Sequence, residues 1–245
     1  MNNLRNGLVV FFCILLSCGD VQDETPELTP DPNAITIMPL GASRVEGARP
    51  SYESYRYELW KLMINSNWNI DYVGTRKDDA SYPAVNGREF DNDHEGRGGW
   101  TSSDLLTGIN DWLQKAGNPD VVLLSSPGGN DGLEGQSFDQ AVENINQLID
   151  IIQDANSNVT IIIEQMAPGT QEVMQDGNLA QFITQMNQEI INISEQQSTT
   201  NSQVLVVDMN TGFSDNLLAD DVHYNQEGAA FIAQRYFEIL MQVIE

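Results

Sequence analysis

The sequence predicts an α/β fold, a three-layer α/β/α sandwich around a five-stranded parallel sheet. Three observations predict it. Five short apolar runs, mostly rich in Val and Ile, recur along the chain. They are near-continuous, as strands buried on both faces require. Between them lie segments whose apolar residues repeat every three or four positions, which places them on one face of a helix. Strands alternating with helices imply right-handed crossovers and a parallel sheet flanked by helices.

The strands are expected at residues 35–40, 70–73, 121–124, 159–163 and 204–207. A helix after the first is marked by Tyr52, Tyr55, Leu59 and Leu62. Leu105, Leu106, Ile109, Trp112 and Leu113 mark the next. Ala141, Ile145, Leu148 and Ile152 share one face of a third, over residues 138–152. The last two cover residues 179–193 and 229–243. Residues 75–97 break the pattern. They are polar, with Pro83, Gly87 and several Asp, and read as a long functional loop.

The 245 residues suffice for one domain with a sizeable core. With 36 acidic and 11 basic residues, the formal charge is −25. That argues against nucleic acid as a partner and disfavours adhesion to anionic lipid. Arg5 precedes an apolar run over residues 8–16, too short to span a bilayer. The run ends in Leu15-Leu16-Ser17-Cys18, which resembles a bacterial lipobox. That resemblance implies a signal peptide over residues 1–17 and a lipid anchor on Cys18. An acidic tether bearing Pro26, Pro30 and Pro32 follows over 18–33, then the folded domain over 34–245. The expected address is extracytoplasmic, periplasmic or cell-surface, on an outer or cytoplasmic membrane. Cys13 would leave with the signal peptide, so no thiol pair remains for a disulfide or a Cys-based metal site.

Open α/β sheets bind ligands outside the carboxyl ends of their strands. Four motifs fall there. Ser43 follows the first strand in Leu40-Gly41-Ala42-Ser43 and is expected to begin a loop. Gly96, Gly98 and Gly99 form a backbone that can approach a ligand closely, and a backbone N–H there could face an oxyanion. Thr101, Ser102 or Ser103 can cap the helix that follows. Asn130, after the third strand, offers a neutral amide donor. His223 follows Asp220 by three residues, and Asn225 can cap the final helix. Imidazole is the base that titrates near neutrality, and a hydroxyl nucleophile needs one. His94, the only other histidine, lacks such an Asp and reads as structural. Asp220 is the candidate orienting acid, with Asp221 and Asp208 as alternatives.

Together, Ser, Gly, Asn and His in this order resemble the four blocks of the SGNH hydrolase superfamily, the GDSL-type esterases. The likeness runs over residues 35–245. Ile37-Met38-Pro39-Leu40-Gly41-Ala42-Ser43, with Asp93-His94-Glu95-Gly96 and Gly98-Gly99-Trp100, is most similar to the branch holding carbohydrate esterase family 3, the acetyl xylan esterases. The resemblance implies a flavodoxin-like sheet and Ser43, Asp220 and His223 as catalytic residues. It implies an oxyanion hole from the Ser43 and Gly99 backbone N–H groups and the Asn130 side chain. It implies ester hydrolysis through an acyl-enzyme, with no metal or organic cofactor, on an acylated glycan.

Three departures stand out. Ala42 replaces the Asp that supports the loop in the family. Tyr224 replaces a Pro common after the His, and Pro127 precedes Asn130 closely. Arg44 and Arg97 flank two site residues and suggest recognition of an anionic glycan, against the alternative of ion pairs with Glu46 or Glu95. Trp100 and Tyr224 can stack on a sugar or pack in the core. Two other readings compete: a lipase or thioesterase on the same site, and a catalytically silent glycan-binding lipoprotein, for which Ala42 speaks.

Overall fold

The computed structural model describes residues 31–244. The expected signal peptide, Cys18 and all of the tether before Asp31 lie outside the described residues.

All five expected strands form: β1 (Ile35–Gly41), β2 (Ile70–Tyr72), β4 (Val121–Leu124), β5 (Thr160–Gln165) and β6 (Val204–Asp208). They pair in parallel in the order β2-β1-β4-β5-β6. A sixth, β3 (Glu95–Gly96), pairs in parallel with the carboxyl end of β1, Leu40 opposite Glu95 and Gly41 opposite Gly96. It lies within the expected loop. Two residues, one charged and one glycine, give no apolar run to read, and only the pairing with β1 defines them as strand.

The helices are α1 (Ser43–Glu46), α2 (Arg56–Asn65), α3 (Ser102–Ala116), α4 (Gly129–Leu133), α5 (Phe138–Ala155), α6 (Gly177–Gln197) and α7 (Gln226–Leu240). Alternate strand residues serve two cores. Ile37, Tyr72, Leu123, Ile162 and Val207 pack with α2 and α7. Met38, Leu40, Val122, Leu124, Ile161 and Ile163 pack with α3, α5 and α6. That two-sided burial explains why the strands read as unbroken apolar runs.

Two local expectations are revised. Tyr52 lies outside α2, in an antiparallel bridge with Ala48. Ser43 opens the one-turn helix α1 rather than a loop, and Asn130, after β4, lies inside α4. Both helices are too short for an apolar repeat to show in the sequence.

From β1 the chain moves outward to β2, then crosses to β4 on the other side of β1. The carboxyl ends of β1 and β4 therefore flank the switch point, where an open α/β sheet leaves a crevice. Ser43 leaves from one of these ends and the segment carrying Asn130 from the other.

Candidate active site

The ends of β1 and β4 are drawn together where Gly41 has no side chain. A Cβ there would sit 2.7 Å from the Ser125 carbonyl oxygen. Ser43 follows two residues later. Its Oγ lies 2.9 Å from His223 Nε2. On the other edge of the imidazole, Nδ1 lies 2.8 and 3.0 Å from the Asp220 carboxylate oxygens. An ionised carboxylate only accepts, so Nδ1 carries the proton and Nε2 is left to accept from the serine hydroxyl.

Asp220 is held by more than the ring. Its Oδ1 accepts the backbone N–H groups of Val222 and His223 at 3.0 and 2.8 Å. Burial pushes its pKa up. Those two bonds, with the His223 side-chain bond and charge, outweigh burial and hold the carboxyl below its ordinary value. The alternative acids are engaged elsewhere. Asp208 accepts from Asn210 and Thr211, and the Asp221 carboxylate accepts from the Thr170 hydroxyl. Asn225 caps α7 by accepting from the Gly228 N–H, which anchors the loop that carries His223.

The second flank of Ser43 carries donors. A Cβ on Gly98 would lie 3.8 Å from Ser43 Cβ, so the glycine turn runs alongside the serine. The Gly98 N–H donates to Glu46 Oε2 at 2.7 Å. The N–H groups of Gly99 and Ser43 have no acceptor among the described residues. Gly99 has φ 80°, a left-handed conformation that glycine adopts without strain. Asn130 lines the same cavity as Ser43. Its Nδ2 donates one hydrogen to the Trp100 carbonyl at 2.8 Å and keeps a second. The neighbouring Asp131 carboxylate fixes α4 by accepting both the N–H and the hydroxyl of Ser102.

One substrate contact expected from the sequence is corrected, and the other three are engaged within the protein. Tyr224 is fully buried, so it has no face for a sugar; it packs edge-on against Phe213 and beneath the Arg44 guanidinium. Arg44 is 9% exposed and donates to the carbonyls of Val222, Ala167 and Pro168 and to the Ser126 hydroxyl. It pairs with neither Glu46 nor Glu95. Arg97 forms the ion pair with Glu95 at 2.7 Å, and its guanidinium lies over the Trp100 and Trp112 rings. Trp100, half-buried, contacts Trp112. Of these, Arg44 also lines the cavity that holds Ser43 and Asn130.

His94 is buried. Its Nδ1 accepts the Gly96 N–H, and burial, then the charges of Arg56, Arg76 and Arg97, push its pKa down to about 2. It stays neutral and shapes the strand β3.

Two residues escaped the sequence reading. Tyr52 lies flat on the His223 ring. Glu164, buried on β5, accepts from the Ser125 hydroxyl, the Ser126 N–H and the Tyr236 hydroxyl, and burial raises its pKa. The signal for Glu164 was an acid ending the apolar run Ile161-Ile162-Ile163. Tyr52 had none, because the stacking partner lies at the other end of the chain. Among the described residues, no group of three or more His, Cys, Asp and Glu side chains is placed to hold a metal ion.

The sequence profile of the GDSL-like Lipase/Acylhydrolase family matches residues 66–231, more than half of the chain. No curated protein sequence matches. Solved structures do. A mutant acetyl esterase with an acetate ion is similar at 27% identity, over 86% of this chain and 98% of that one, with a TM-score of 0.73. A carbohydrate esterase family 3 protein from Talaromyces cellulolyticus is similar at 27% identity over 86% and 98%, with a TM-score of 0.71. A family 3 carbohydrate esterase of Clostridium thermocellum is 30% identical over 86% and 96%, with a TM-score of 0.69.

Proposed function

Because the chain belongs to the GDSL-like lipase/acylhydrolase family and is a carboxylic ester hydrolase, we propose that Ser43 is its nucleophile and that its substrates are small acyl esters of carbohydrate, acetyl esters among them. One observation carries the reading. A hydroxyl, an imidazole and a carboxylate form a continuous hydrogen-bonded chain, Ser43–His223–Asp220, at a strand end.

The chemistry follows from the geometry. His223 Nε2 takes the Ser43 proton as Oγ bonds to the ester carbonyl carbon. The carbonyl oxygen gains the electron pair and faces the Ser43 and Gly99 N–H groups and the second Asn130 N–H. Collapse of this adduct breaks the bond to the alkoxy oxygen, which leaves with the proton from His223. Water then repeats the sequence on the acyl-Ser43 ester and releases the acid. Asp220 holds the ring and balances the imidazolium in both halves.

The carbohydrate assignment rests on the two similar carbohydrate esterases and on the polar cleft beside Tyr52. Arg49, Arg76, Lys77, Asp78 and Asp79 line that cleft and supply both donors and acceptors for sugar hydroxyls. The address proposed for the protein is extracytoplasmic, with Cys18 lipidated. Detergent-phase partition of the wild type, lost in Cys18→Ser, tests it.

Para-nitrophenyl acetate and acetylated xylan test the function. The wild type is expected to release acetate from both. Ser43→Ala and His223→Ala should each lose on the order of 10³-fold or more in kcat/KM. Equal rates in all three proteins would defeat the proposal.

A further inference from the structure

The cavity that Ser43 and Asn130 share is walled largely by hydrocarbon: Leu133, Met166, Val173, Met174, Leu179 and Ile183. Its volume is about 50 Å³. A water-sized group needs roughly 10–15 Å³ of such space, so about four fit. An acetyl group places one methyl beyond its carbonyl carbon and would leave most of those walls untouched. A butyryl group places three carbons there.

The wall is built in place. Thr170 donates its N–H to the Asp221 carbonyl at 2.8 Å, and Met174 donates to the Thr170 carbonyl at 3.0 Å. Arg44 donates to the carbonyls of Ala167 and Val222, both at 2.8 Å. The segment that forms one side of the cavity is therefore fastened to the loop that carries His223. Val173 packs onto Gly169, where an added Cβ would meet its Cγ1 at 2.5 Å. A cavity fixed in this way sets a chain length instead of yielding to one.

Resting on the reading of Ser43 as nucleophile, we propose that this cavity is the acyl site and that it selects straight acyl groups of three to four carbons over acetyl. Met174 and Ile183 are its specificity-determining side chains. They stand on different elements, a short 3-10 turn over residues 173–175 and helix α6. The chemistry at the ester is unchanged. What differs is the apolar area covered as the acyl chain enters.

The test is a chain-length series on the full protein: para-nitrophenyl acetate, propionate, butyrate and hexanoate. Burying one methylene is expected to raise kcat/KM by about fourfold, up to butyrate, with no further rise at hexanoate. Met174→Trp and Ile183→Trp should each fill the cavity and lower the butyrate-to-acetate ratio about tenfold. If one variant fails to fold, the other reads the same cavity, and the wild-type series needs neither. Acetate preferred over propionate and butyrate in the wild type overturns the proposal. So does an unchanged ratio in the folded variants. Failure of the Ser43 reading looks different: hydrolysis of every ester in the series would persist in Ser43→Ala, and the inference would fall with it.

Discussion

The Tyr52 ring lies against the His223 imidazole, centroids 3.9 Å apart and planes 14° apart. The contact restricts the plane of the ring while Asp220 fixes its edge. Tyr52→Phe keeps the stack and is expected to retain kcat within about twofold. Tyr52→Ala removes it, and an imidazole displaced by a fraction of an ångström costs roughly tenfold or more. Steady-state kinetics on one small ester read both. Equal kcat in the two variants would mean that the stack does not orient the base.

Asp220 is the acid whose oxygens reach the ring, and Asp208 and Asp221 are engaged with backbone and hydroxyl donors. Asp220→Asn leaves the size unchanged but can present an amide N–H to Nδ1, which favours the wrong tautomer. Loss of kcat on the order of 10³-fold is expected. Asp221→Asn and Asp208→Asn are expected to stay within about threefold, because neither changes the ring's hydrogen bonds. Loss of kcat in Asp221→Asn comparable to that in Asp220→Asn would reassign the role.

How much of this was legible is best judged residue by residue. Ser43, Asn130 and His223 could be found because each is a polar residue just beyond an apolar run or ahead of a capped helix. Strand ends converge in a parallel sheet, so the sequence carries their proximity indirectly. Thr101 and Asn225 were readable as caps because capping is local; Thr101 accepts from the Asp104 N–H as its position suggests. The strand β3 was not readable, since its conformation depends on Leu40 and Gly41, far away in the chain. The partners of the cations were hidden for the same reason. Position beside Ser43 suggested that Arg44 meets substrate, while its acceptors are carbonyls on two other loops.

Those acceptors make Arg44 a structural clamp. Four hydrogen bonds leave its buried guanidinium, three of them to backbone carbonyls. Arg44→Ala strands these carbonyls and is expected to lower stability by about 3 kcal/mol. Arg44→Lys cannot span the same fork and should recover less than half of that. Urea denaturation measures both. The ratio of rates on uronate-bearing and neutral esters should not change in Arg44→Lys. A selective loss on the charged ester would restore Arg44 as a substrate contact.

Asp91 gives a pH dependence that is independent of catalysis. Burial, then the nearby Asp93 and Asp71 charges, raise its pKa to about 6, against the pull of the Tyr72 N–H that it accepts at 2.6 Å. The folded state therefore holds a proton that the unfolded chain releases near 3.8. Stability from this group is present below pH 3.8 and declines as pH rises through about 6. The full loss is roughly 3 kcal/mol at 1.36 kcal/mol per unit. Asp91→Asn keeps an acceptor for Tyr72 and carries no charge. The difference in unfolding free energy between the variant and wild type should grow from pH 4 to pH 7, in favour of the variant. A difference independent of pH would show that Asp91 titrates normally.

Glu46 is the carboxylate placed to hold the glycine turn where Ala42 stands in place of an Asp. Its carboxylate accepts the Gly98 N–H at 2.7 Å and pairs with Arg76 at 2.8 Å. The helical turn that begins at Ser43 thus holds the glycine turn through Glu46, three residues further on. The contact leaves the N–H of the next residue, Gly99, unclaimed among the described residues. Glu46→Gln keeps an acceptor for Gly98 and should lose no more than about threefold in kcat. Glu46→Ala frees the glycine turn, and a displaced oxyanion donor is expected to cost on the order of 10²-fold in kcat with little change in KM. Restoring Asp at position 42 in that background, as Ala42→Asp with Glu46→Ala, should recover most of the loss, because a carboxylate on the adjoining residue can hold the same loop. If Glu46→Ala leaves kcat unchanged, the glycine turn is self-supporting and the substitution at position 42 needs no compensation.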